Sequence, residues 1–131
     1  MEPLKQRTKS LEKALLKLEE VLSIEHPSDI ERDASIQRFK YTFEAAWKLE
    51  KQYLYEIEGI DIASPKGVIR SMRETNILSD EQAKLALEMV DDRYLTSHTY
   101  NEGVAKKIYS RLPSYYRLIE YILDTVKQKI E

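Results

Sequence analysis

Apolar residues recur along this chain at spacings of three, four and seven, the period of a helix buried along one side. Leu4, Leu11, Leu15, Leu18 and Leu22 make the first such stripe and predict a helix over residues 3–23. Lys5, Arg7, Lys9, Glu12, Lys13, Lys17, Glu19 and Glu20 fill its other side and read as a solvated face. His26-Pro27-Ser28 breaks it, because proline disfavours helical backbone at the residue before it. His26 then reads as an ordinary exposed turn histidine. Ser28, with Glu31 three positions on, forms a capping box that opens a long second helix over residues 29–58. Ile36, Phe39, Phe43, Ala46, Trp47, Leu54 and Ile57 are its inward stripe, and Gly59 is its natural stop. Residues 59–63 form the longest loop. Ser64 and Pro65 restart the chain as N-cap and first residue of a short helix over 65–74, with Val68, Ile69 and Met72 inward. Asn76 ends it. Ser79 and Gln82 cap the next helix, which runs to about residue 96 with Leu85, Ala86, Met89, Val90 and Tyr94 on its inner side. The last helix covers residues 100–129 on the stripe Val104, Ile108, Leu112, Tyr115, Ile119, Ile122 and Val126. Thr99 and Glu102 read as its capping box, and Pro113 should kink it by removing a backbone donor.

No stretch alternates apolar and polar residues with β-branched enrichment, and no Asn-Gly or Asp-Gly turn occurs. The fold class is therefore all-α: an up-and-down four-helix bundle with an additional short helix. At 131 residues the chain has the size of one domain, 1–131, with one core. A net charge of −2 argues against broad nonspecific binding to nucleic acid, which needs a basic surface, and leaves room for a small local RNA site. DNA is not an expected partner. The absence of cysteine excludes disulfides, a thiolate nucleophile and a cysteine zinc site. No run of about 18 apolar residues occurs and the first residues do not resemble a signal peptide, so a soluble, cytoplasmic protein without a membrane partner is expected. Tyr115, Tyr116 and Tyr121 are more phenols than one small core needs, and tyrosines favour interfaces, which points to a homodimer.

Chemistry gathers in Asp91-Asp92-Arg93-Tyr94-Leu95-Thr96-Ser97-His98-Thr99-Tyr100, which reads R-x4-H-x-Y. A guanidinium holds phosphate oxygens through a planar fork. An imidazole gives or takes a proton near neutral pH. A phenol donates, accepts or, once activated, attacks. On one unbroken helix Arg93 and His98 stand about 140 degrees apart, whereas Arg93 and Tyr100 share a face. The three converge only if the helix breaks near residues 97–99 or a second copy supplies the missing group. The plain structural alternative pairs Arg93 with Asp91 or Asp92, gives His98 a backbone carbonyl and packs Tyr100. Lys66, Arg70 and Arg73 make a basic strip at i, i+4 and i+7, a further candidate for phosphate contact, though Ser64-Pro65-Lys66-Gly67 lacks the spacing of a phosphate loop. Glu44 and Lys48 can pair on their helix or point into a cleft, where Lys48 would be one more phosphate contact. Asp91 and Asp92 are adjacent and do not face one metal; neither a metal nor a cofactor is expected.

R-x4-H-x-Y, preceded by Glu88-Met89-Val90-Asp91-Asp92 and followed by Asn101-Glu102, resembles the signature of the nucleotidyltransferase substrate-binding proteins, the HepT-like members of the HEPN superfamily. Phe39-Lys40-Tyr41-Thr42-Phe43-Glu44-Ala45-Ala46-Trp47-Lys48 and Ser64-Pro65-Lys66-Gly67-Val68-Ile69-Arg70 also match, so the resemblance runs from about residue 36 to 125. Tyr94 departs from the small polar residue, often asparagine, that many members carry after the arginine. The resemblance implies a metal-independent ribonuclease with His98 as acid or base and Arg93 on the phosphate. It implies AMP transfer onto Tyr100 by a separate small nucleotidyltransferase, which silences the nuclease in a toxin–antitoxin pair. A non-catalytic subunit that completes the transferase's substrate site is the alternative. This chain shows no Gly-Ser loop followed by Asp-x-Asp, so the transferase would be another polypeptide.

Overall fold

The computed structural model describes residues 2–131, and among them the regular structure is all helical. The five expected helices are α1 (Glu2–Leu22), α2 (Asp29–Tyr53), α3 (Pro65–Glu74), α4 (Asp80–His98) and α5 (Glu102–Ile130). A π-helical turn, Leu54–Glu58, continues α2. α2 and α5 each pack on both α1 and α4, while α3 closes against α4 and the end of α2. Short links make helices that follow in sequence neighbours in space, the arrangement of an up-and-down bundle.

The stripes meet in one core. Leu4, Leu11 and Leu18 of α1, Phe39 of α2, and Leu112 and Tyr115 of α5 are fully buried there. The Phe39 and Tyr115 rings stack at 5.6 Å between centroids and 22° between planes. Burial of side chains this size contributes about 1.5–3 kcal/mol each. Three caps form as the sequence predicts. Ser28 Oγ accepts from the Glu31 backbone N–H at 3.1 Å, and Glu31 returns a carboxylate oxygen to the Ser28 N–H at 2.9 Å. Ser79 and Gln82 repeat that box, and Ser64 Oγ accepts from Gly67 N–H.

Four expectations change. First, α5 is capped by Asn101, whose Oδ1 accepts from Val104 N–H at 2.9 Å. Thr99 instead donates its backbone N–H to Leu95 O at 3.1 Å and so finishes α4. Second, Ile57 is exposed. The wider π turn shifts the phase of the α2 stripe just before it, and Gly59, at φ 69°, closes the turn in the left-handed region that favours glycine. Third, Tyr94 is not core: it is 61% exposed, because the inner face of α4 turns through Met89, Asp92 and Thr96 instead. Fourth, Tyr115, Tyr116 and Tyr121, three of the four tyrosines of α5, are used within the chain. Tyr115 donates to Asp92, Tyr116 to Glu19 and Tyr121 to the carbonyl of Ile77. Their hydroxyls therefore have partners without a second chain. Pro113 lies at an exposed position inside α5, and the helix runs through it without interruption.

Candidate functional site

α4 continues to His98, so Arg93 and His98 sit on one unbroken helix. The long arginine stem closes the angular gap: both side chains line a single open hollow of about 300 Å³, together with Glu44, Pro65, Tyr94 and Ser97. Arg93 is held from several directions. Its Nη1 donates to Ser97 Oγ at 3.0 Å and to Thr96 Oγ1 at 3.3 Å, and its Nη2 lies 3.6 Å from Glu44 Oε1. Glu44 is itself fixed by the Trp47 indole N–H at 3.1 Å. Arg93 Nε is buried without a partner. His98 is exposed, and one face of its ring is covered by Tyr94, 3.9 Å away and nearly parallel, as i, i+4 side chains on a helix can be. The arginine is thus fixed from both α4 and α2, while the imidazole is open to solvent on its other face.

Tyr100 goes elsewhere. The chain does break after His98, at the late end of the expected stretch, but the break carries the phenol away from the hollow. Tyr100 lies in a second hollow with Asp33, Ile36, Gln37, Lys40 and Thr96, and its hydroxyl donates to Asp33 Oδ1 at 3.0 Å. Burial, then the bond to Asp33, raise its pKa above the ordinary phenol value, so the hydroxyl keeps its proton at neutral pH. Thr96 stands between the two hollows: it lines the second and touches Arg93 of the first. Within one chain the motif is therefore split, two residues on one side and one on the other.

The alternative pairings expected for Arg93 do not form. Asp91 takes Lys66 at 2.8 Å, which ties α3 to α4. Asp92 points inward, 3% exposed, and binds Arg111 at 2.9 Å from both carboxylate oxygens and the Tyr115 hydroxyl at 2.5 Å. Arg111 also reaches Glu88 at 3.4 Å. Sequence reasoning missed this network, although Asp92 lies three residues after the inward Met89 and the spacing marks it as an inner-face residue. It anchors α4 to α5 one residue before Arg93. Of the basic strip, Lys66 is taken by Asp91 and Arg73 lies 3.6 Å from Asp80. Arg70 lines a separate hollow of about 250 Å³ beside Arg73 and Lys84. Lys48 lies on α2 and faces a different hollow, with Arg7, Lys51 and Tyr55.

By fold this is a helical bundle with its ionisable motif where α4 gives way to α5. The chain belongs to the family described as nucleotidyltransferase substrate binding protein like, whose pattern matches residues 6–128. A search of curated proteins returned no match. Among solved structures, a crystal structure of a protein from Thermus thermophilus is 59% identical, with a TM-score of 0.85 over 88% of this chain and 98% of that one. The tri-AMPylated HEPN toxin of Shewanella oneidensis, solved in complex with an MNT antitoxin, is 13% identical, with a TM-score of 0.74 over 95% and 96% of the two chains. A Haemophilus influenzae protein described as a substrate binding domain of a nucleotidyltransferase is 20% identical, with a TM-score of 0.65 over 96% and 98%. These last two share the fold. No helix among the described residues is long and apolar enough to cross a membrane.

Proposed function

We propose that this chain is the partner of a separate small nucleotidyltransferase and a metal-independent endoribonuclease, the toxin half of a toxin–antitoxin pair, working in the cytoplasm. The observation that carries this is the hollow at the end of α4, where a fixed guanidinium and an open imidazole share one space of about 300 Å³. The fold shared with the Shewanella toxin–antitoxin complex supports the pairing. In the reaction, the ribose 2′-oxygen attacks the adjacent phosphorus, its proton passes to His98, and the 5′-oxygen of the next nucleotide leaves. Arg93 holds the charge that builds on the phosphoryl oxygens. The nucleophile is RNA's own hydroxyl, so neither a metal nor a cofactor enters the scheme. A homodimer brings a second His98 to return a proton to the leaving oxygen.

Tyr100 is the AMP acceptor in this scheme. The partner transferase presents ATP, the phenolic oxygen bonds to the α-phosphorus, and pyrophosphate leaves. The proton passes to the Asp33 carboxylate that already accepts that hydrogen bond. One observation favours a second reading, a non-catalytic subunit that only binds ligand phosphate: Tyr94 covers one face of His98, and Glu44 already occupies Arg93.

Expression in a bacterial host separates the two. The nuclease arrests growth and degrades RNA, and His98→Ala or Arg93→Ala each relieves both effects. Growth without arrest and with intact RNA, while a transferase co-purifies, selects the binding subunit. Co-expression with the transferase adds AMP mass units that Tyr100→Phe abolishes.

A further inference from the structure

A hollow larger than the one at the motif lies between α1 and the end of α2. It measures about 390 Å³ and is lined by Arg7, Lys48, Lys51, Gln52, Tyr55 and Asp61. That volume falls in the range of small-ligand clefts. Lys48, Lys51 and Gln52 stand at i, i+3 and i+4 on one face of α2, Tyr55 follows on the π turn, and Arg7 comes across from α1. Three cations meet one carboxylate here, on a chain whose net charge is −2. Lys51 is engaged by Asp61 at 3.5 Å. Arg7 and Lys48 have neither a hydrogen bond nor an ion pair among the described residues. Gln52 donates to Glu56 at 2.6 Å, so that second carboxylate borders the site. Tyr55 is the second residue of the π turn, 58% exposed. Such turns occur often at functional sites, and this one sets an open aromatic ring beside unpaired cations. Glu44, four residues before Lys48, belongs to the His98 hollow, so residues lining the two hollows stand about 6 Å apart along α2.

We propose that this hollow binds a nucleoside monophosphate unit. Arg7 and Lys48 grip the phosphate, the guanidinium by its fork and the ammonium as a point charge. Tyr55 stacks the base, a contact every base can make. The unit is either a free mononucleotide or one nucleotide of a single-stranded RNA that runs along α2 from the His98 hollow; only the second source rests on the ribonuclease reading.

The test uses the full chain, with AMP and a short single-stranded oligoadenylate as probes and inorganic phosphate as control. Binding is read by calorimetry and fluorescence anisotropy. Arg7→Glu with Lys48→Glu weakens whichever probe binds at least about tenfold, because both charges reverse at the phosphate. Lys107→Glu, an exposed lysine outside the hollow, leaves binding unchanged. Tyr55→Ala weakens AMP but not inorganic phosphate. Preference for AMP assigns a free mononucleotide. Preference for the oligoadenylate assigns a strand, and its salt slope then falls by about 0.7 in the double variant, for the one phosphate no longer neutralised. Neither Arg7 nor Lys48 is buried, so circular dichroism of the double variant should match wild type. The proposal is overturned if neither probe binds wild-type protein, or if the double variant binds like wild type. Loss of AMP binding in the double variant of a chain that never cleaves RNA leaves this site standing and removes only the nuclease.

Discussion

Glu50 is an acid with nowhere to put its charge. It sits in α2, 3% exposed, and its Oε1 has no hydrogen-bond partner. Burial alone pushes its pKa up to about 8. An unfolded chain returns the carboxyl to an ordinary value near 4.5, so between these two pH values the folded state holds a proton that the unfolded state releases. The stability linked to this group is complete below the unfolded pKa and is lost as pH rises through the folded one. Urea unfolding at pH 5, 6, 7 and 8 should therefore show stability falling with pH, by up to about 1.4 kcal/mol per unit from this residue. Glu50→Gln removes that slope and is the more stable protein at pH 8. A variant that keeps the wild-type slope places its origin elsewhere. Asp92 solves the same problem differently, with Arg111 and Tyr115 as partners. These buried acids share the heptad-like spacing of their apolar neighbours, so their inward direction was legible in the sequence. The partners of Asp92 were not, because Arg111 and Tyr115 arrive from a helix nineteen and twenty-three positions away.

At the scale of elements, the sequence predicts local chemistry well and phase poorly. Apolar period and caps located all five helices, because both depend on residues within one turn of each other. The π turn was invisible, since it inserts without a marker residue other than Gly59, and it moved Ile57 outward. Gly67 had a reason the sequence did not reveal: a Cβ there would meet Ile62 at 2.7 Å and the capping Ser64 Oγ at 2.8 Å. At the junction between α4 and α5 the sequence pointed to Thr99 as cap and the structure uses Asn101, because the carbonyl of Leu95 takes the Thr99 N–H. That choice is measurable. Asn101→Ala leaves the Val104 N–H without its acceptor and should cost about 1 kcal/mol in chemical denaturation. Thr99→Ala keeps the backbone N–H that ends α4 and should fall within about 0.5 kcal/mol of wild type. The reverse order would restore the Thr99–Glu102 box. The junction also decides the site, because it is this turn that sends Tyr100 to Asp33 rather than to Arg93.

Across the whole molecule, each chain offers one imidazole per hollow, and the proposed cleavage asks for two proton transfers. Glu44, the other proton carrier at that place, is tied to Arg93 and Trp47. A second chain related by a two-fold axis would bring the second imidazole, and the exposed face of His98 leaves room for it. Tyr115, Tyr116 and Tyr121 already bond within the chain, so the argument rests on the chemistry of the hollow. Mixing decides it. Wild-type and His98→Ala chains, co-expressed in equal amounts and allowed to pair at random, give about one quarter wild-type dimers and about one half mixed dimers. If each chain cleaves alone, RNase activity per total protein should be about half that of wild type. If both imidazoles are needed, mixed dimers are silent and activity should drop to about one quarter. We expect the quarter. Half-activity, or a monomer in sedimentation at working concentration, would assign the acid step to water or to a residue of the same chain and leave the twin without a catalytic part.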